Sequence, residues 1–148
     1  MNNYEKLAFY AKRYPELLTE LDASGNTALH NAAKNASKRT LKLLVKCGLD
    51  PNALNLAGYS PLHLIIMSKA INRDDTCLYM IDRGFDEDAV TPDGKTCLLL
   101  ACEYSRHTVV KELLKNGLDP NTPDHSGLTC LQTSLAQVLV CSECLILC

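Results

Sequence analysis

Short apolar stretches recur along the chain, each too brief to build a core alone and each followed by a polar turn. In the stretches Ala28, Leu29, Ala32, Ala33, then Leu41, Leu43, Leu44, Val45, the apolar residues fall mostly three and four apart. The same holds for Leu62, Ile65, Ile66, for Leu98, Ala101, Cys102, and for Val109, Val110, Leu113, Leu114. That spacing puts them on one face of a helix. The pattern predicts short paired helices, with the outer member of the first pair over about 38–46. At the N-terminus Leu7, Ala8 and Ala11 share one face of a helix predicted over about 4–13. Pro15 stands where a second helix would start, since its missing N–H costs nothing at a first helical position. Leu17, Leu18 and Leu21 would be the apolar side of that helix. Glu5, Lys6, Lys12, Arg13 and Glu16 keep this end hydrated, as the terminal unit of a stack requires.

The punctuation between these stretches is itself repeated. Gly25-Asn-Thr-Ala-Leu-His30, Gly58-Tyr-Ser-Pro-Leu-His63, Gly94-Lys-Thr-Cys-Leu-Leu99 and Gly127-Leu-Thr-Cys-Leu-Gln132 are four copies of one phrase, 33, 36 and 33 residues apart. A second series, Gly48-Leu-Asp-Pro-Asn52, Gly84-Phe-Asp-Glu-Asp88 and Gly117-Leu-Asp-Pro-Asn121, runs in step with the first. Thr27, Ser60 and Thr96 are natural N-caps for the helices that follow them. Gly48 suits a left-handed C-cap. One period in two registers predicts stacked helix–turn–helix units, and four of them exceed the three or so such a stack needs for stability. The second unit is three residues longer than the others, with the extra residues within 69–75.

These phrases resemble the ankyrin repeat family over residues 22 to about 137. The resemblance implies an all-α solenoid of stacked helix–turn–helix units joined by β-turn or hairpin loops. The whole chain, 1–148, is then one domain: an N-terminal cap 1–21, repeats over 22–54, 55–90 and 91–123, and an atypical final unit 124–148. It also implies that His30 and His63 orient their turns through hydrogen bonds to backbone, and that Asn52 and Asn121 stabilise turns between repeats. Gly25, Gly48, Gly58, Gly84, Gly94, Gly117 and Gly127 are structural on the same ground. In such stacks the turn tips and the open end of each inner helix line a concave groove. Carried over by position, this expects partner contacts from Lys34, Asn35, Leu56, Tyr59, Met67, Ser68, Lys95, Glu103 and Tyr104. Tyrosines and a methionine among charged neighbours are common at the centre of interfaces. The implied function is to bind another protein as an adaptor or inhibitor. Masking of a transcription factor in the manner of the IκB family, or recruiting a substrate to a ubiquitin ligase, are specific versions.

Composition narrows this further. A net charge of −2 without a basic run argues against nucleic acid as partner, as do 5% aromatics and no Trp. No apolar stretch reaches the roughly 18–20 residues of a membrane span, so no membrane contact is expected. The N-terminus lacks the layout of a signal peptide, which points to the cytosol or nucleus, where thiols stay reduced. The eight cysteines are therefore expected as thiols, with Cys97, Cys102 and Cys130 serving as small packing residues. Cys141-Ser-Glu-Cys144 with Cys148 is a weak candidate for a metal or redox module, because two thiolates on one turn supply only half of a zinc site. No phosphate-cradling glycine cluster and no paired carboxylates in a cleft are evident, Asp74/Asp75 and Asp86/Glu87/Asp88 falling in expected loops. His107 and His125 read as surface residues. No cofactor and no catalysis are expected. The apolar end, 138–148, is expected to form an atypical cap on repeat three.

Overall fold

The computed structural model describes residues 3–70 and 72–136, so the expectations for 138–148, including Cys141, Cys144 and Cys148, lie outside the described residues. Among these residues there are eight helices: α1 Asn3–Arg13, α2 Ala28–Lys34, α3 Lys38–Lys46, α4 Pro61–Met67, α5 Arg73–Asp82, α6 Cys97–Glu103, α7 His107–Lys115 and α8 Cys130–Ala136. A single antiparallel bridge, Val90 to Thr96, closes one loop. The helices α2, α4, α6 and α8 contact one another in sequence order and form an inner row. The outer helices α3, α5 and α7 pack behind α2, α4 and α6. Leu29, Leu41, Leu44, Leu62, Ile65, Met80, Leu98, Val109 and Leu113 are almost wholly buried between the two rows. Truncating any of the buried leucines to Ala is expected to cost about 2–5 kcal/mol. The small residues Ala33, Ala101 and Cys102 are fully buried, and their size lets the inner helices approach closely.

Each turn tip is tied by the residue three before its glycine. Asp22 Oδ1 accepts the N–H groups of Ser24 and Asn26, Asn55 Oδ1 those of Ala57 and Tyr59, and Asp124 Oδ1 those of Ser126 and Leu128. Hydrogen bonds from Asn26 hold the Asp22 carboxyl at about 2, well below its ordinary value. Adjacent tips then stack. Gly25, at φ +71, lies so close to Leu56 that a Cβ would strike its side chain and backbone, and Gly94 faces the His125 ring in the same way.

The structure corrects the sequence reading in three places. Residues Pro15–Thr19 form a 3₁₀ turn in which only Leu18 is buried, while Leu17 and Leu21 are exposed. With three residues per turn, so short a segment presents one side chain to repeat one. Asp74 and Asp75 occupy the first turn of α5 rather than a loop, where carboxylates suit the positive helix end.

The third correction concerns thiols: Cys102 and Cys130 form a disulfide, with 6.1 Å between Cα atoms. At the first-turn tips and inner caps, neighbouring units meet at an offset shorter than the 33-residue period. His30 pairs with Tyr59 and Asn26 with Asn55, both 29 residues on. Aligning like positions sets Cys102 against Leu135, whereas the inclined packing sets it against Cys130, 28 residues away.

The repeat-two insertion is also placed. Ala36, Asn72 and Ser105 share left-handed φ values of 50°, 59° and 54° just before the outer helices. They follow the inner N-caps Thr27, Ser60 and Thr96 by nine, twelve and nine residues. The added length thus falls between the end of α4 at Met67 and Asn72, and includes Lys69 and Ala70.

Candidate functional site: a groove between the first two repeats

Two buried histidines set the frame for the site. Nδ1 of His63 accepts the Ser60 N–H at 3.0 Å, and Nε2 lies 3.1 Å from the carbonyl of Ala89. His30 repeats the arrangement with the Thr27 N–H at 3.2 Å and the Tyr59 carbonyl at 2.9 Å. A backbone N–H can only donate, so Nδ1 is bare and Nε2 carries the proton it gives to the carbonyl. The hydroxyls of Thr27 and Ser60 return a bond to the N–H groups of His30 and His63, completing a reciprocal N-cap. Burial lowers both imidazole pKa values, consistent with neutral, structural rings. Leu99 leaves the cap of α6 with one half, Thr96 accepting the Leu99 N–H. Gln132 restores the other half by accepting the Thr129 N–H at 2.9 Å.

On this frame lies a groove of about 720 Å³. Its walls are the tips Ser24, Asn26, Asn55 and Ala57 on one side and Lys34, Asn35, Ser68, Lys69 and Ala70 on the other, with Leu64 and Met67 between. Four residues expected at a binding surface, Lys34, Asn35, Met67 and Ser68, therefore meet here. Lys69 and Ala70 come from the insertion, so the insertion and the groove are one feature.

Ser68 is a strut rather than a free contact. It is 8% exposed. Its hydroxyl donates to the Lys34 carbonyl at 2.7 Å and accepts the Ala70 N–H at 3.0 Å. Arg106, from the third repeat, donates Nη2 to the Ser68 carbonyl at 2.6 Å and Nε to the Ile66 carbonyl at 3.0 Å. One serine thus joins three repeats and fixes the wall that carries Lys34 and Lys69.

Sequence reasoning missed Arg106. Its signal is a cation standing just before α7, where repeat one has Ser37, combined with an insertion one repeat earlier that leaves the last carbonyls of α4 in need of donors. Burial and the nearby Arg73 lower the Arg106 pKa.

The other expected contact residues are spread along the stack. Leu56 is 81% exposed at its tip, and its N–H donates to the Ser24 carbonyl at 3.1 Å. Tyr59 is half-buried with its ring edge-on to His63. Lys95 and Glu103 are bound to each other at 2.6 Å. That bond raises the Lys95 pKa and removes both from the free charges. Tyr104 is exposed in the third repeat and does not line the groove. Asn52 accepts the Asp86 N–H at 2.8 Å, linking the second turns of repeats one and two. Among the described residues no cluster of three or more His, Cys, Asp or Glu side chains is arranged to hold a metal, and no helix is long and apolar enough to cross a membrane.

A family model described as ankyrin repeats (3 copies) matches residues 3–89 and 64–145. The chain belongs to the ankyrin repeat family. It is 33% identical over 120 residues to Neurogenic locus notch homolog protein 1 of Danio rerio, across 81% of this chain and 5% of that protein. It is 30% identical over 105 residues to Transient receptor potential cation channel subfamily A member 1 of Homo sapiens, across 71% of this chain and 9% of that protein. The chain therefore spans a small part of each relative's length. Ankyrin repeats are protein–protein interaction modules and generally non-catalytic.

Proposed function

We propose that this ankyrin-repeat chain works as an adaptor or inhibitor that holds a partner protein in the groove between repeats one and two. The observation that carries the reading is the prior fixation of the groove wall: Ser68 binds the Lys34 carbonyl while Arg106 binds the Ser68 carbonyl. A wall ordered before the partner arrives loses little conformational entropy on binding. The groove combines a half-buried apolar floor at Leu64 and Met67 with polar rims, a usual arrangement for a protein contact.

A photo-crosslinking amino acid placed at Ala57, on the groove rim, tests this against one placed at Arg39, on the exposed side of α3. Covalent adducts in cells that form at position 57 and not at 39 support the groove. Adducts that form equally at both, or only at 39, remove it as the binding surface.

A further inference from the structure

We propose that the groove selects an extended, acidic segment of its partner protein, with an apolar side chain seated between the carboxylates. This rests on the groove being the binding surface, and adds the chemistry of what it takes.

The groove's charge is of one sign. Lys34 and Lys69 both line it, both are exposed, and no residue lining it is acidic. Neither lysine makes an ion pair or a side-chain hydrogen bond among the described residues, whereas Lys95 farther along is neutralised by Glu103. The chain as a whole carries −2, so a groove of two bare ammonium groups is a local arrangement and not a consequence of general basicity. Lys69 is supplied by the insertion itself, and the Ser68 clamp fixes the backbone from which it projects. The added residues thus bring a second cation to the mouth of a groove that already holds Lys34.

The kind of anion follows from the kind of cation. No arginine lines the groove, so the planar fork that favours bidentate phosphate is missing, and point charges on flexible stems are what a carboxylate side chain meets. Between the two lysines, Met67 and Leu64 offer an adaptable apolar floor.

The rim also favours an extended chain. The tips of repeats one and two are joined by the Leu56 N–H to the Ser24 carbonyl, and those of repeats three and four by the His125 N–H to the Asp93 carbonyl. At the equivalent place between repeats two and three stands Pro92, which has no N–H. The Ala57 carbonyl, in a residue that lines the groove, therefore lacks its ladder donor, and in the proposed complex it accepts a peptide N–H of the bound segment.

The test is selection of random twelve-residue peptides displayed on phage against the wild-type chain, followed by fluorescence anisotropy on the enriched sequences. The expected peptides carry Asp or Glu on both sides of a Leu, Ile, Met or Phe. Their binding weakens about tenfold in the Lys34→Glu/Lys69→Glu variant, each exposed pair contributing about two- to fivefold, and weakens with added salt. Circular dichroism checks the fold of the variant, in which both substituted side chains are exposed.

Ala57→Trp fills the groove without altering charge and separates the two levels of the proposal. Enriched peptides that are neutral or basic, and that lose binding in Ala57→Trp but not in the lysine variant, overturn the acidic partner and leave the groove standing. Peptides indifferent to both variants overturn the groove as well. A selection that enriches nothing overturns the extended-segment inference and leaves the crosslinking at position 57 to judge the groove. Tighter binding of a phosphoserine peptide than of its glutamate counterpart overturns the choice of carboxylate.

Discussion

The first two junctions of the stack and the third solve one problem with different chemistry. Between repeats one and two, and at the end of repeat two where it meets repeat three, a buried neutral imidazole grips its own helix cap with Nδ1 and a backbone carbonyl farther along the chain with Nε2. Between repeats three and four the same position is Leu99, 2% exposed and without a polar group to offer. There the Cys102–Cys130 disulfide ties the inner helices instead. What the solenoid requires is a tie between neighbours, and the residue chosen decides what can undo it. Protonation is therefore expected to weaken the first two junctions, and reduction the third.

The largest way to break this comparison is to cut the covalent tie. Cys102→Ala/Cys130→Ala, or reduction, removes a cross-link spanning 28 residues, worth about 3–4 kcal/mol in the chain-entropy account. In a stack held by nearest-neighbour contacts the loss falls on the terminal unit. Amide exchange of α8 is expected to accelerate steeply while α2 and α4 stay protected. An α8 whose exchange does not change on reduction would show that the disulfide carries no stability.

Next in size is His63→Leu, which gives the second junction the side chain of the third but no disulfide. It leaves the Ser60 N–H without its acceptor and the Ala89 carbonyl with only the Cys97 thiol, 3.7 Å away, next to a wholly buried site. The orphaned N–H costs about 1–3 kcal/mol and the loss of the stronger donor to the carbonyl about 0.5–1.5 kcal/mol, so a loss of roughly 2–4 kcal/mol is expected in urea unfolding. A loss under about 1 kcal/mol would mean that the junction is held by its apolar contacts alone.

Acidification probes the same contrast without mutation. Burial lowers the folded pKa values of His30 and His63 below the ordinary 6.5, so below that pH the unfolded chain binds more protons than the folded one. Their contribution is therefore complete above about pH 6.5 and is lost as pH falls through the folded values. The mechanism is local: a proton on Nδ1 removes the acceptor of the Thr27 or Ser60 N–H. Asp22 adds a second, lower window, complete above 3.8 and lost toward about 2. Amide protection factors, with exchange rates corrected for the intrinsic slowing of exchange in acid, should fall at the first two junctions before the third between about pH 7.5 and 5. A uniform fall, or one that starts at α8, would contradict the assignment.

How much of this was legible beforehand depends on whether a residue's role is set within its own repeat or by the next one. Caps, turn glycines and apolar faces are local, and Thr27, Gly25 and Leu29 could be read from one unit. The positions of Lys34 and Met67 followed from the resemblance to ankyrin repeats, carried over by position. Ser68 and Arg106 could not be read this way, because their bonds cross 34 and 38 residues and depend on where an insertion sends the backbone. The disulfide escaped because the expected compartment points to thiols and each cysteine suits packing within its own repeat, while the bond joins Cys102 to Cys130 of the next unit. Lys95 and Glu103 looked like two free charges because the sequence does not show that an inner helix carries Glu103 back over the tip that bears Lys95.

The smallest test asks whether the fourth unit retains the polar half of the device. Gln132 reproduces the local part of the histidine's role, its Oε1 accepting the Thr129 N–H, but both residues are at least partly open to water. In Gln132→Leu water replaces the lost acceptor, so the cost is expected to be about 0.5–1 kcal/mol, well below that of the same change at His63. Gln132→Glu keeps an acceptor at that position and is expected to restore the loss. A Gln132→Leu penalty as large as that of His63→Leu would mean that the fourth junction leans on its cap rather than on the disulfide. The division between proton-sensitive and electron-sensitive junctions would then fail at the very unit that defines it.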